Sequence, residues 1–130
     1  MNKEDFVPLE VAKLLKEKGF NEYCGAYYHL NWDDMTEEEC FEIASDHDFK
    51  NGNNEYRVGA PTLYEAQKWL REEHNIHIRI DCWGENDWCY ILYEFTKGSV
   101  HKVVNYSYQC YYNSYEDALK DGILEALTLI

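Results

Sequence analysis

At 130 residues and 15.5 kDa, with 45% hydrophobic and 16% aromatic residues, the chain has the size and composition of one folded domain and not of a disordered segment. Its formal net charge of -13 and pI near 4.6 argue against direct nucleic-acid or anionic-membrane binding, since both depend on Lys and Arg. The charge fits plain solubility, attraction to a basic partner, or mimicry of a polyanion.

Near the N-terminus, Pro8 suits the first turn of a helix, and Leu9, Val11, Ala12, Leu14 and Leu15 give it an apolar stripe. Lys13, Lys16, Glu17 and Lys18 fall mostly outward, Gly19 is placed as the stop, and Phe20 is expected to pack back on the helix. Tyr23–Leu30 reads as an edge strand with a bulge or close backbone approach at Gly25. Residues 31–59 read as the variable part of the chain, an insertion whose order the sequence leaves open. Within it, Thr36 and Glu39 form a capping-box pattern over a short helix to Ala44, although Phe41, Ile43 and Ala44 equally suit a short strand. Asp46–Asn54, with its Asn51-Gly52 pair, reads as loop or turn.

The middle of the chain is the most legible. Thr62 and Glu65 form a second capping box after Pro61, and Leu63, Ala66, Gln67 and Leu70 recur at helical spacing, with Trp69 widening the stripe. The helix should end near His74 and Asn75. Ile76, Ile78 and Ile80 then alternate with His77, Arg79 and Asp81, and after turn residues Gly84–Asp87 a second strand runs from Trp88 to Phe95. A four-residue connection would set Trp83 opposite Trp88, pair Ile80, Ile78 and Ile76 with Ile91, Tyr93 and Phe95, and place His77 by Glu94 and Asp81 by Tyr90. A slip of one residue would turn a whole strand over. Thr96–Ser99 form another turn, and Val100–Tyr112 a third strand with Val104, Tyr106, Tyr108, Cys110 and Tyr112 on one face. Ser114 and Asp117 cap a last helix, striped by Ala118, Leu119, Ile123, Ala126, Leu127 and Ile130, in which Gly122 allows close approach to the sheet. The expectation is a single α+β domain over residues 1–130, with an antiparallel sheet of about four strands and the helices beginning at Thr62 and Ser114 on one face.

Val7–Glu22, Ala60–Ile78 and Tyr115–Leu127 carry a resemblance to a group of small uncharacterised proteins of gut anaerobes and of their phages and mobile elements, while Asp33–Tyr56 is particular to this chain. The shared features are caps, helix faces and a hairpin, and the group has no established activity. The resemblance therefore transfers no catalytic residue.

Candidate chemistry is sparse. Five cysteines, at 24, 40, 82, 89 and 110, include no C-x-x-C pair, which signals neither a disulfide framework nor a zinc ribbon and reads as buried thiols in a reducing compartment. The first residues lack the apolar core of a signal peptide and no run reaches a membrane span, so a cytoplasmic location is expected. His74 and His77 make H-x-x-H across a helix-to-strand junction where the rings need not converge, and Asp81, Asp87, His29, His47 and His101 have no supporting spacing. No metal or cofactor is assigned. The oxygen-rich run Asp46–Glu55 lacks EF-hand positions, and no nucleophile shows an activating neighbour.

Two surfaces stand out. The strand face carrying His77, Arg79 and Asp81, with Tyr90 and Glu94 beside them, is the candidate for a small polar ligand or a peptide, against the alternative of a solvated face with cross-strand ion pairs. The acidic segment, Trp32, Asp33, Asp34, Glu37, Glu38, Glu39 and Glu42, contains no Lys or Arg and interleaves carboxylates with aromatics, against the alternative of a solvated helix or loop face. The leading expectation is a non-enzymatic protein that binds another macromolecule, a protein partner and a basic one among the options, through its acidic or aromatic surface. The alternative is a ligand-binding domain or enzyme using the His77 face, and homodimerisation through exposed tyrosines or a strand edge is compatible with either.

Overall fold

The computed structural model describes residues 1–95, 101–107 and 112–130, with the backbone alone at 101 and 102. The expected turn at Thr96–Ser99, and Val100, Tyr108 and Cys110 of the expected third strand, lie outside the described residues. The fold is α+β, and its strands are distributed over three antiparallel sheets of two or three strands each. The chain divides into two compact units, residues 1–65 and 66–130. Among the described residues no helix is long and apolar enough to cross a membrane.

In the first unit, helix α1 (Leu9–Glu17) follows Pro8 as its N-cap and buries Val11, Ala12 and Leu15. Gly19 takes a φ of 98°, a conformation that favours glycine. This lets the amides of Gly19 and Phe20 donate to the Lys16 and Leu15 carbonyls at 3.1 and 2.8 Å, the paired bonds of a Schellman stop. Phe20 is buried, as the sequence implied.

The segment expected as one edge strand is two strands, β1 (Tyr23–Cys24) and β2 (Ala26–His29), broken at Gly25. A Cβ there would come within 2.6 Å of His47 Nδ1, so a larger residue would have to displace the His47 ring. β2 is central and not an edge: β3 (Phe41–Ile43) pairs with it on one side and β5 (Arg57–Gly59) on the other. β4 (Phe49–Lys50), in the stretch that reads as loop, pairs with β1. The 31–59 segment thus supplies the strand partners of this unit. Both readings of its start hold in succession: α2 (Glu37–Cys40) begins at the Thr36–Glu39 capping box and stops after one turn, where β3 begins.

Tyr28 is fully buried and its hydroxyl donates to the Val7 carbonyl at 2.8 Å, while burial raises its pKa. Burial, followed by the charges of Glu65 and Glu22, pushes the Cys24 thiol up to about 12, which keeps it protonated and inert. Asn51 is the buried polar hub. Its Nδ2 donates to the Phe20 carbonyl at 3.2 Å, and its Oδ1 accepts from the Gly59 amide at 2.7 Å.

Helix α3 (Leu63–His74) starts from the expected capping box, with the Thr62 amide donating to Glu65 Oε1 at 2.8 Å and the Glu65 amide to Thr62 Oγ1 at 3.1 Å. Asn75, at a φ of 57°, ends it. In the second unit β6 (Ile76–Cys82), β7 (Trp88–Phe95) and β8 (His101–Tyr106) form an antiparallel meander with a bulge at Leu92/Tyr93. Helix α4 (Tyr115–Thr128) is capped by Ser114, whose hydroxyl accepts from the Asp117 amide, and packs on β6 and β7. Gly122 is where they approach: a Cβ on it would lie 3.1 Å from Ile78 Cγ2 and 3.3 Å from Tyr90 Cβ. Leu92, Ile123 and Leu127 are fully buried, and removing each from water contributes about 1.5–3 kcal/mol.

Candidate functional site

The hairpin register differs from the expected one by a single residue. Cys82 lies opposite Trp88, and Ile80, Ile78 and Ile76 face Tyr90, Leu92 and Glu94. The reason is the loop. The Trp83 amide donates to the Asp87 carbonyl at 2.9 Å, so three residues, Gly84–Asn86, are enclosed in place of four, and Asn86 takes a φ of 62° that asparagine tolerates. An odd loop turns β7 over.

The expected ligand face is corrected accordingly. His77, Arg79 and Asp81 share a face with Tyr93, Ile91 and Cys89, whereas Tyr90 and Glu94 lie on the opposite face with Ile80 and Ile76. Tyr90 is buried there, and burial, then Glu125 and Asp121, raises its pKa. The charges that were expected to pair across the strands resolve along one strand instead. Arg79 Nη2 meets Asp81 Oδ2 at 3.1 Å, and its guanidinium lies 5.1 Å over the ring of Tyr93, its diagonal neighbour. His77, Arg79, Tyr93 and Phe95 line a hollow of about 280 Å³, in which the His77 ring meets Phe95 edge-on at 4.4 Å.

Burial, then the charge of Arg71, lowers the pKa of His77. A histidine pKa lowered on folding means the unfolded chain binds more protons between the two values. Stability held above the unfolded pKa is therefore lost as pH falls through the folded one. The expected result is a His77 titration midpoint by NMR below the ordinary histidine value of 6.5, and a shallower acid loss of stability in His77→Gln. A midpoint at or above that ordinary value refutes this.

His74 and His77 do not converge: His74 packs edge-on to Trp69 at 4.7 Å. Among the described residues no three His, Cys, Asp or Glu side chains gather as a metal site would need. In the Asp46–Glu55 run, the Asn51 carboxamide is taken up by backbone partners.

The acidic segment is the more exposed of the two surfaces. Every residue from Asn31 to Glu39 is exposed, including Trp32 at 41% and Met35 at 50%. Three of its acids have internal partners: Glu37 pairs with Lys3 at 2.8 Å, Glu39 closes the capping box with Thr36, and Glu42 belongs to the outer face of β2 and β3. Asp33, Asp34 and Glu38 have no side-chain hydrogen bond or ion pair among the described residues. Asn31–Met35 line a shallow hollow of about 290 Å³.

Beneath this segment lies a cluster that the sequence reading passed over. Tyr27 and His29 alternate outward on β2, the alternation being the signal that was there to read. The Tyr27 hydroxyl donates to Glu42 Oε2 at 2.6 Å, and His29 Nε2 sits 3.3 Å from Glu42 Oε1 without hydrogen-bond alignment. The hydrogen bond from Tyr27, then His29, holds the Glu42 carboxyl below its ordinary range. Arg57 lies 5.1 and 5.5 Å over the stacked rings of Tyr27 and Phe49. Finally, Trp32 stacks flat on His29, with centroids 3.8 Å apart and planes 4° from parallel. An exposed tryptophan is thus fixed in place among free carboxylates. No family model, curated protein or solved structure matches the chain.

Proposed function

We propose that the chain is a non-enzymatic interaction protein that binds a basic protein surface through Asn31–Glu38. The observation that carries this reading is the stacking of exposed Trp32 on His29 beside Asp33 and Asp34. A tryptophan held by one face loses little freedom on binding, which is the property of an anchor residue. Its other side, within the hollow at Asn31–Met35, suits an arginine or lysine, whose cation would meet both a π-face and carboxylates. The net charge of -13 favours encounter with such a partner. The resemblance to proteins of phages and mobile elements suits a partner belonging to a host.

The test is affinity capture from lysate at low and high salt, on columns of the intact chain, of Trp32→Ala, and of Asp33→Asn/Asp34→Asn. A specific basic protein should be retained at low salt, released at high salt, and missing from both variant columns. Loss of the tryptophan anchor should weaken binding by about 30-fold, equivalent to about 2 kcal/mol. If the variants hold the same proteins as the parent, or the folded parent holds none, the reading fails.

A further inference from the structure

The sheet of the second unit has one face against α4, and on the other several of the described side chains are exposed. Ile76, Ile78 and Leu92 are buried on the helix side. The other side presents Ile91, Tyr93, Val103 and Tyr106, with Trp83 at the hairpin end. Trp83 is 76% exposed, Val103 47% and Tyr106 45%, and these five residues line much of a hollow of about 390 Å³. An apolar, aromatic sheet face of this kind is ordinarily covered by a second layer about 10 Å away.

We propose that a second copy of the chain supplies that layer, the two open faces packing about a two-fold axis. Charge selects this occupant over a basic protein. On a chain of net charge -13 most surfaces repel a second copy, yet the described strand side chains of this face include one cation, Arg79, and one carboxylate, Asp81, with Glu85 and Asp87 confined to the turn beside Trp83. The two lie 3.1 Å apart on the same strand. The described strand part of the face is therefore neutral, and it is self-complementary under two-fold symmetry: Arg79 of each copy can meet the partner's Asp81. This interface is separate from the one proposed above, and the two can be tested independently.

Sedimentation equilibrium of the full chain over a range of concentrations should give twice the 15.5 kDa chain mass at the upper end. Val103→Glu, an exposed substitution that circular dichroism should show to be folded, is expected to raise the dimer dissociation constant at least about 100-fold by burying an unpaired charge. The charge pair supplies a second test that survives poor folding of any one variant. Arg79→Asp and Asp81→Arg should each weaken self-association about tenfold or more, through like charges meeting across the axis, while an equimolar mixture of the two should recover a heterodimer. A parent that stays monomeric overturns the proposal. So does a dimer indifferent to Val103→Glu, or one lost on Trp32→Ala, or a monomer whose Val103 face instead captures a foreign protein.

Discussion

Asn51→Leu should lower the stability of the first unit by about 2–6 kcal/mol, although the substitution keeps the branched outline of the side chain and adds apolar surface. Leu cannot replace either hydrogen bond: the Gly59 amide would lose its Asn51 acceptor and the Phe20 carbonyl its Asn51 donor, at about 1–3 kcal/mol each. Asn51→Asp separates the two contributions. It keeps an acceptor for Gly59, loses the donor to Phe20 and introduces a buried charge, whose pKa folding must raise. A carboxyl with a raised folded pKa binds its proton more tightly in the native state, so the aspartate variant should be least stable at neutral pH and recover as pH falls. Urea melts across pH, with exchange of the Gly59 amide as a local probe, would check both. A leucine variant within about 0.5 kcal/mol of the parent would show that these bonds are not structural.

The second large effect tests the hairpin register. Leu92→Ala should cost about 2–5 kcal/mol, since Leu92 is fully buried opposite Ile78 under α4. Its neighbour Ile91 lies on the open face opposite Arg79, where Ile91→Ala should cost about 1.5 kcal/mol or less. In the register expected from a four-residue turn, Ile91 would be inward and Leu92 outward, and the order of the two losses would reverse. Denaturant midpoints of the two variants decide the matter.

These residues also show what could be read from the sequence and what could not. Helix boundaries were legible because they rest on side-chain-to-backbone bonds three residues apart, as at Thr62 and Glu65, Thr36 and Glu39, and Ser114 and Asp117. The Gly19 stop and the Gly122 contact were legible for a related reason, since each turns on one missing Cβ. The register was not, because it depends on whether the loop encloses three residues or four, and Asn86 accepts either role until its φ is known. Strands of two or three residues, such as β4 and β5, carry too few positions for alternation to show, and their partners lie far along the chain. Of the candidate surfaces, the exposure of Trp32–Glu39 followed from composition. The cluster of Tyr27, His29, Glu42 and Arg57 did not, because it is assembled from three strands brought together only by the fold.

The position of Asn51 also bears on how the protein ages. Gly52 follows it, the neighbour that least hinders a backbone nitrogen from closing on the side-chain amide carbonyl and releasing ammonia. In the native state that carboxamide is gripped from both ends and buried, so it cannot turn toward its own backbone. Each unfolding excursion releases it, and the aspartate or isoaspartate formed then can no longer donate to Phe20. Deamidation at this one position would accumulate faster in denaturant than in native buffer, as peptide mass spectra can follow, and every modified molecule would unfold more readily than before. Opening of the first unit therefore becomes a one-way step in chemical time, and the lifetime of the protein is set by how often that unit opens.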